Sequence, residues 1–212
     1  MSRIIESACK LCRREAVKLF LKGDRCFSDK CAFERRAYPP GQHGNQRRKL
    51  SEYALRFEEK QKLLSHYNIR EAQLRRFVRM SKTGRVSDWV DKLIGLLESR
   101  VDNVLFRAGM APSIPAARQL VGHGHVRVNG KRINISSALV KPNDKVSLSE
   151  KAYKGTLYMQ AKQSPRLELP DFLLLEGGDE KVATLREIPH AHDIPFPFES
   201  GMIAEWFAAR KA

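Results

Sequence analysis

At 212 residues the chain can form one or two domains, and its 42% hydrophobic and 30% charged residues exclude a disordered tail. Its formal net charge of +15 favours a polyanionic partner, with nucleic acid ahead of an anionic membrane surface. No run reaches the roughly 18 apolar residues of a membrane span, and no signal-peptide core precedes the first cysteine. We therefore expect a cytoplasmic protein with reduced thiols and no membrane partner.

The positive charge is concentrated in the first three quarters of the chain. Residues 1–151 hold 32 Lys and Arg against 15 Asp and Glu, whereas residues 152–212 hold 7 against 9. The polyanion is therefore predicted to contact the first segment. The last segment is predicted to be structural or to face another protein.

All four cysteines lie near the start of the chain, in two close pairs. The first pair has the spacing C-x2-C and the second, after thirteen residues, the spacing C-x4-C. Two such pairs suit a tetrahedral zinc site, because each pair supplies one edge of the tetrahedron. A closed shell of four sulfur atoms leaves no position for catalysis, so the ion would fold a segment too small for its own core. The predicted ligands of one structural Zn²⁺ ion are Cys9, Cys12, Cys26 and Cys31.

Two other interpretations of the cysteines stay open. A C-x2-C pair can be a redox pair, although no thioredoxin-like βαβ pattern accompanies it. The cysteines could also be the remains of a metal site that no longer binds an ion.

The middle of the chain is predicted to be helical. After a Pro39-Pro40-Gly41 run that predicts an extended arm, Ser51 is placed to cap a first helix. Apolar residues at helical spacing predict a second helix from near Ser87 to a stop at Gly109. A short helix over residues 113–121 follows.

The stretch "VRVNGKRI", residues 126–133, predicts a hairpin with a two-residue type I′ turn at Asn129-Gly130. This register places Arg127 directly opposite Arg132, where like charges destabilise the pair. A strand follows near residue 146. Residues 152–212 are predicted to be β-leaning, with a hairpin around Gly177-Gly178 and an ending "MIAEWFAAR" that suits a strand or a short helix.

Two central segments and the arm resemble a known family. "ESRVDNVLFRAGM" and "AARQLVGHGHVRVNGKRI" closely resemble the RNA-binding domain named after small-subunit ribosomal protein four, which has two helices and a hairpin. The arm "YPPGQHGNQRRKLSEYALRFEEKQKL" and the cysteine spacing resemble the zinc-bearing bacterial form of that protein. The resemblance runs from about Cys9 to about Glu150. Past residue 152 only the closing "IPFPFESGMIAEWFAAR" is similar.

The resemblance implies that the central helices and the hairpin face structured RNA. Arginine pairs on the hairpin would then be neutralised by phosphates; the alternative is that both are merely solvated. Asp102 is expected to orient Arg100 or Arg118, and the two histidines after the third helix could be plain turn residues. The implied RNA contacts are Arg100, Arg107, Arg118, Gln119, His123, His125, Arg127, Lys131 and Arg132.

The arm is a second implied contact region. His43 lies among glycines that allow close approach to a backbone. By resemblance, Arg47, Arg48 and Lys49 would lie near the mRNA entrance of the small subunit. The alternative for these residues is an ordinary solvated surface.

The predicted fold class is α+β. We expect a zinc-binding helical body over residues 1–95, rejoined by the tail 196–212, then a helix–helix–hairpin RNA-binding domain over residues 96–150. A β-leaning extension covers residues 151–195. No nucleophile, phosphate-loop or metalloprotease motif occurs, so the chain is not expected to be an enzyme.

The resemblance implies a structural protein of the small ribosomal subunit that binds the 5′ domain of 16S rRNA and starts assembly of the subunit body. It also implies contact with ribosomal protein five and an effect on translational accuracy together with proteins five and twelve. Binding to a structured mRNA leader, as a regulator, stays open.

Overall fold

The structure is a computed structural model that describes residues 7–46, 49–83, 88–163 and 167–209. The chain divides into two compact units, residues 1–93 with 194–212 and residues 94–193. The described residues form a mixed fold of helices and one antiparallel sheet.

The first unit is helical. Ser51 caps its longest helix as predicted, because its hydroxyl accepts a hydrogen bond from the amide of Ala54 at 3.3 Å. Ser87 lies outside the described residues. The helix that follows is capped by Asp88, whose carboxylate accepts hydrogen bonds from the amides of Val90 and Asp91. The helices are α1 (Ala8–Arg14), α2 (Ala32–Arg35), α3 (Glu52–His66), α4 (Glu71–Ser81), the first half of α5 (Trp89–Glu98) and, from the tail, α10 (Ser200–Ala208).

The tail is a helix that packs on α3. The ring of Trp206 lies 5.1 Å from that of Tyr53 and 5.5 Å from that of Phe57, centroid to centroid. Arg56 also pairs with Glu205 across a distance of 2.5 Å. These contacts bury Trp206 and place the last described residues in the first unit.

The single helix predicted from near residue 87 to Gly109 is wrong, because the chain forms two helices there. α5 ends at Glu98, and α6 (Val101–Arg107) begins after Arg100, whose backbone is extended. The break lets Ser99 and Val101 pair with a later segment: the Ser99 carbonyl accepts from Val140 at 2.8 Å, and the Val101 amide donates to Ala138 at 2.9 Å. The predicted stop at Gly109 is confirmed by its positive φ of +65°.

The second unit contains a five-stranded antiparallel sheet with the strand order β2-β1-β3-β5-β4. One face packs on α6 and on α7 (Ile114–Gly122), and the core lies between them. The strands are β1 (Val126–Val128), β2 (Lys131–Ile133), β3 (Lys145–Leu148), β4 (Leu173–Glu176) and β5 (Val182–Leu185).

The predicted hairpin is confirmed in turn and register. Asn129 and Gly130 have φ values of +51° and +77°, as a type I′ turn requires. Val126 pairs with Ile133, and Arg127 pairs with Arg132.

The β-leaning prediction for residues 151–195 is only half right. The hairpin around Gly177 is present as β4 and β5, but α8 (Glu150–Tyr153) and α9 (Thr156–Gln163) precede it. α9 is held by long-range bonds that its own sequence does not reveal. The Tyr158 hydroxyl donates to the Asp179 carbonyl at 2.5 Å and accepts from the Lys181 amide at 3.2 Å.

Candidate nucleic-acid interface and cysteine site

The four cysteines line one small pocket in the first unit. α1, the turn at residues 23–27 and the start of α2 bring them there. All four are free thiols, and three of them are buried. The Cys26 sulfur accepts a hydrogen bond from the Lys22 amide at 3.3 Å. The fold thus brings the two cysteine pairs, which are separated in sequence, to the same pocket.

Burial raises the pKa of Cys12 to about 11, and the other three sulfurs add to this shift. Burial likewise raises the pKa of Cys26. Without a cation Cys12 and Cys26 hold their protons at neutral pH. In the described part of the chain, no group of three or more His, Cys, Asp or Glu side chains is placed so that it could hold a metal ion. The zinc site therefore stays a prediction, carried by the shared pocket and by its chemistry.

Glu15, just past α1, is a buried carboxyl group. Burial, and to a smaller extent the nearby Glu58, raise its pKa to about 7. In the described residues its Oε2 atom has no hydrogen-bond partner. Because the folded chain holds this proton more tightly than the unfolded chain, folding stability falls as pH rises from about 4.5 to about 7 and is then level.

We therefore expect Glu15→Gln to be more stable than the parent chain at pH 8, with a smaller advantage at pH 5. Urea unfolding at both pH values measures the difference. Glu52→Gln is the control, since the Glu52 side chain is 84% exposed. An equal advantage of Glu15→Gln at the two pH values would contradict the assignment.

The arm is anchored at its base by Arg13. Its Nε atom donates to the carbonyls of Arg36 at 3.1 Å and Tyr38 at 3.0 Å, and its guanidinium lies 4.9 Å from the centre of the Tyr38 ring. His43 and Lys49 are exposed, as a contact role needs. Arg47 and Arg48 lie outside the described residues.

The hairpin presents an exposed cationic face. Arg127, Lys131 and Arg132 are all exposed, and Arg132 donates to the His123 carbonyl at 3.4 Å. A Cβ at Gly124 (φ +70°) would meet the Arg132 guanidinium, which would then have to move. The exposed Arg132 side chain thus reaches toward the end of α7.

The residues at the end of α7 lie beside this face. Gln119 and His123 are exposed. His125 is half-buried, with Nδ1 at 3.3 Å from the Ser149 hydroxyl. His123 and His125 also face each other, with ring centroids 6.3 Å apart. The hairpin and the end of α7 form one continuous set of polar groups, which we call the hairpin surface: Gln119, His123, His125, Arg127, Lys131 and Arg132.

Arg100 does not fit the predicted RNA contact, because it lies in the interior. It is 1% exposed and donates to the Asp102 carboxylate from Nε at 3.0 Å and from Nη2 at 2.7 Å. The expectation that Asp102 orients arginines agrees with this geometry. Arg118 also donates to Asp102, at 2.7 Å, but is half-exposed and can still face a ligand.

Arg107 is a second interior arginine. It is 7% exposed, lies 3.7 Å from the buried Glu98 carboxylate and donates to the Asp193 carbonyl at 2.9 Å. The burial of Arg107, like that of Arg100, therefore disagrees with the predicted RNA contact. The carboxylates that hold Arg100 and Arg107 explain both departures, since a buried cation needs such partners.

Family models match nearly the whole of the first three quarters of the chain. The Ribosomal protein S4/S9 N-terminal domain matches residues 3–98, and the S4 domain matches residues 99–146. Small ribosomal subunit protein uS4B of Bdellovibrio bacteriovorus is 52% identical over 181 residues, which cover 84% of this chain and 86% of that protein. Small ribosomal subunit protein uS4 of Caldicellulosiruptor bescii is 41% identical over 208 residues, 98% of this chain and all of that protein. This chain belongs to the uS4 family.

Membership of the uS4 family makes this chain a structural ribosomal protein and not an enzyme. It also implies rRNA binding in the small subunit. Within the described residues, no helix is long and apolar enough to cross a bilayer. The S4-domain match ends inside β3, so α8, α9, β4 and β5 lie beyond both family models.

One basic surface of this uS4 chain was not predicted from the sequence. Along α4, Ala72, Arg76, Arg79, Met80 and Thr83 line a shallow groove on the exposed side. Neither arginine has an ion-pair partner among the described residues. The available signal was the helical spacing of these arginines opposite an apolar face.

Proposed function

We propose that this uS4-family chain binds a helical junction in the 5′ domain of 16S rRNA through the hairpin surface. The observation that carries this proposal is the exposed pair Arg127 and Arg132, which stand directly opposite each other in the β1–β2 register. Two like charges in that position weaken a hairpin unless an anion neutralises them. RNA phosphates supply that anion, and arginine forks suit phosphate and 2′-OH contacts on RNA helices.

We propose further that the first unit supplies a second RNA contact and that the two together start assembly of the subunit body. The net positive charge of residues 1–151 spans both units. Once one unit is bound, the other binds at high effective concentration, which offsets the entropy of holding several RNA helices in one arrangement. If about 6–10 phosphates are contacted, the affinity falls about 10³–10⁵-fold between 50 and 200 mM salt.

The proposed protein partner is ribosomal protein five. Together with ribosomal proteins five and twelve, the chain would affect translational accuracy. A surface suited to a protein partner is present on α3, where Tyr53 is 54% and Phe57 is 37% exposed. The exposed His43 and Lys49 of the arm support contact with mRNA at its entrance to the subunit.

We propose that the cysteine pocket holds one structural Zn²⁺ ion. The fit rests on four free thiols lining one pocket and on the absence of a disulfide among them. Cys9, Cys12, Cys26 and Cys31 would bind the ion as thiolates, releasing their protons. Zn²⁺ supplies no catalysis in a closed four-sulfur shell; it joins α1, the turn at residues 23–27 and α2. The nearby Lys22 offsets part of the negative charge of such a site.

Replacing both hairpin arginines tests the RNA surface. Arg127→Ser/Arg132→Ser is expected to weaken 16S rRNA binding roughly 3- to 30-fold, as the loss of two exposed ion pairs would. Thermal stability should stay level or rise, because cross-strand repulsion is removed. Filter binding and thermal melting measure the two effects. Arg127→Lys/Arg132→Lys keeps the charge and should keep most of the affinity; unchanged binding by the Ser variant would refute the role.

Chemical footprinting on deproteinised 16S rRNA tests the proposed target. At a salt concentration that suppresses non-specific binding, compact protection of a junction in the 5′ domain is the expected result. Diffuse protection would mean that the chain does not bind rRNA on its own at a defined junction.

A further inference from the structure

A small cleft in the first unit is lined almost entirely by cations. Its volume is about 220 Å³, and its lining is Arg13, Arg25, Lys30, Ala32, Arg35 and Arg36. No acidic side chain is among these six. None of the thirteen residues assigned above to RNA contact lies in the cleft, and the four cysteines line a neighbouring pocket that shares Arg25 and Ala32 with it.

Two of the arginines are fixed in place by backbone carbonyls. Arg13 donates from Nε to the carbonyls of Arg36 and Tyr38, and from Nη2 to that of Pro39 at 3.4 Å. Arg25 donates from Nε to the Lys30 carbonyl at 3.3 Å, which leaves its terminal amino groups available. These bonds orient the guanidinium groups without neutralising them, because a carbonyl carries no formal charge.

The remaining cations of the cleft are exposed and uncompensated. Among the described residues, Lys30, Arg35 and Arg36 have no carboxylate partner. The one acid of α2, Glu34, is engaged instead by Lys18. Cations gathered on a concave surface repel one another, and an anion bound among them removes that cost.

The size and donor set of the cleft identify the chemistry of the anion. Its volume is below the roughly 300–1,000 Å³ of sites for whole small molecules, so it suits one or two tetrahedral anions. Arginine forks match two oxygens of one phosphate group in a planar, bidentate contact, and several arginines together can engage its remaining oxygens. We propose that this cleft binds phosphate groups, with Arg13 and Arg25 as fixed donors and Arg35 and Arg36 closing on the anion.

The phosphate could belong to an RNA strand or to a free phosphate compound, and the test separates these sources. The variant is Arg35→Gln/Arg36→Gln, which keeps the Arg36 carbonyl that Arg13 uses. Lys151→Gln/Lys154→Gln is the matched control, because it removes two exposed positive charges from α8. Thermal melting checks that each zinc-supplemented full chain is folded.

In the first arm, binding to 16S rRNA is measured over a series of salt concentrations. If RNA supplies the phosphate, the cleft variant lowers the slope of log K against log salt by about 1.4 to 1.8, since each contact contributes about 0.7 to 0.9. The control variant leaves the slope nearly unchanged. In the second arm, inorganic pyrophosphate is titrated into each chain and the heat of binding is measured. Saturable binding that only the cleft variant loses, together with a salt slope for rRNA that the cleft variant leaves unchanged, identifies a free phosphate compound.

The cleft proposal deepens the proposed RNA function in the first arm and is independent of it in the second. If the parent chain binds no 16S rRNA at all, the proposed function fails, and the pyrophosphate arm still decides the cleft. If the parent chain binds rRNA but the cleft variant matches the control in both arms, the cleft proposal alone is overturned.

Discussion

If the cysteine pocket holds the proposed Zn²⁺ ion, removing that ion with a chelator is expected to unfold the segment around the four cysteines while residues 94–193 stay folded. α1 and α2 are only seven and four residues long, so neither helix is stable without the pocket that joins them. In small zinc-binding segments the apparent binding free energy is about 10–16 kcal/mol and is folding free energy. Hydrogen exchange measured before and after chelation should show lost protection over residues 7–46.

The proposed zinc site also predicts that zinc affinity depends on pH. The raised pKa of Cys12 means that zinc must displace a proton from that thiol at neutral pH, so zinc affinity should rise as pH rises. Metal analysis of the purified chain should find one zinc per molecule, and none in Cys31→Ser. The second unit is an internal control for general effects of the chelator. A metal-free chain with unchanged protection over residues 7–46 would refute a structural zinc site.

Replacing Asp102 is expected to have the largest effect on the second unit. Its carboxylate, fully buried, accepts from Arg100 twice, from Arg118 and from the Asn103 amide. Asp102→Asn leaves the Arg100 charge buried without its counter-ion, and removing one partner of a buried pair costs about 3–5 kcal/mol. Denaturant unfolding of the zinc-loaded chain measures the loss.

A matched substitution at an exposed ion pair provides a reference for the stability loss expected of Asp102→Asn. Asp179 pairs with Lys162 at the surface, where its side chain is 92% exposed. Asp179→Asn should therefore leave stability nearly unchanged. If the two Asp→Asn variants lose equal stability, the interior network does not hold the second unit together.

The hairpin could be predicted from sequence because its determinants are local. Asn129-Gly130 provides two residues that accept positive φ, and this turn sets the register that brings Arg127 opposite Arg132. The cap at Ser51 and the stop at Gly109 are local in the same sense.

The break between α5 and α6 could not be predicted, because its cause is distant in the chain. Apolar residues keep helical spacing through residue 105, but Ser99 and Val101 gain backbone partners at residues 138–140 only when the chain folds. α9 was missed for a similar reason, since Tyr158 is anchored at residues 179–181. Tertiary contacts decide both cases.

The residues of the candidate site also divide into those placed by local sequence and those placed by tertiary contacts. Exposure of the hairpin arginines follows from the period of two in a strand, so these positions could be named from sequence. The burial of Arg100 and Arg107 could not, because it depends on Glu98 and Asp102 facing inward from adjoining segments. The cationic cleft combines residues from three short elements and has no sequence motif of its own.

The place of β5 in the sheet also bears on how this chain is made. β3 pairs with β1 on one side and with β5 on the other, so an interior strand depends on a segment that is synthesised later. Until residues 182–185 leave the ribosome, β3 presents an unpaired edge that another chain could join. At about 5–20 residues per second that interval lasts a few seconds. The two edges that remain in the finished sheet are short and carry Lys131, Arg132 and Glu176, charges that discourage such joining.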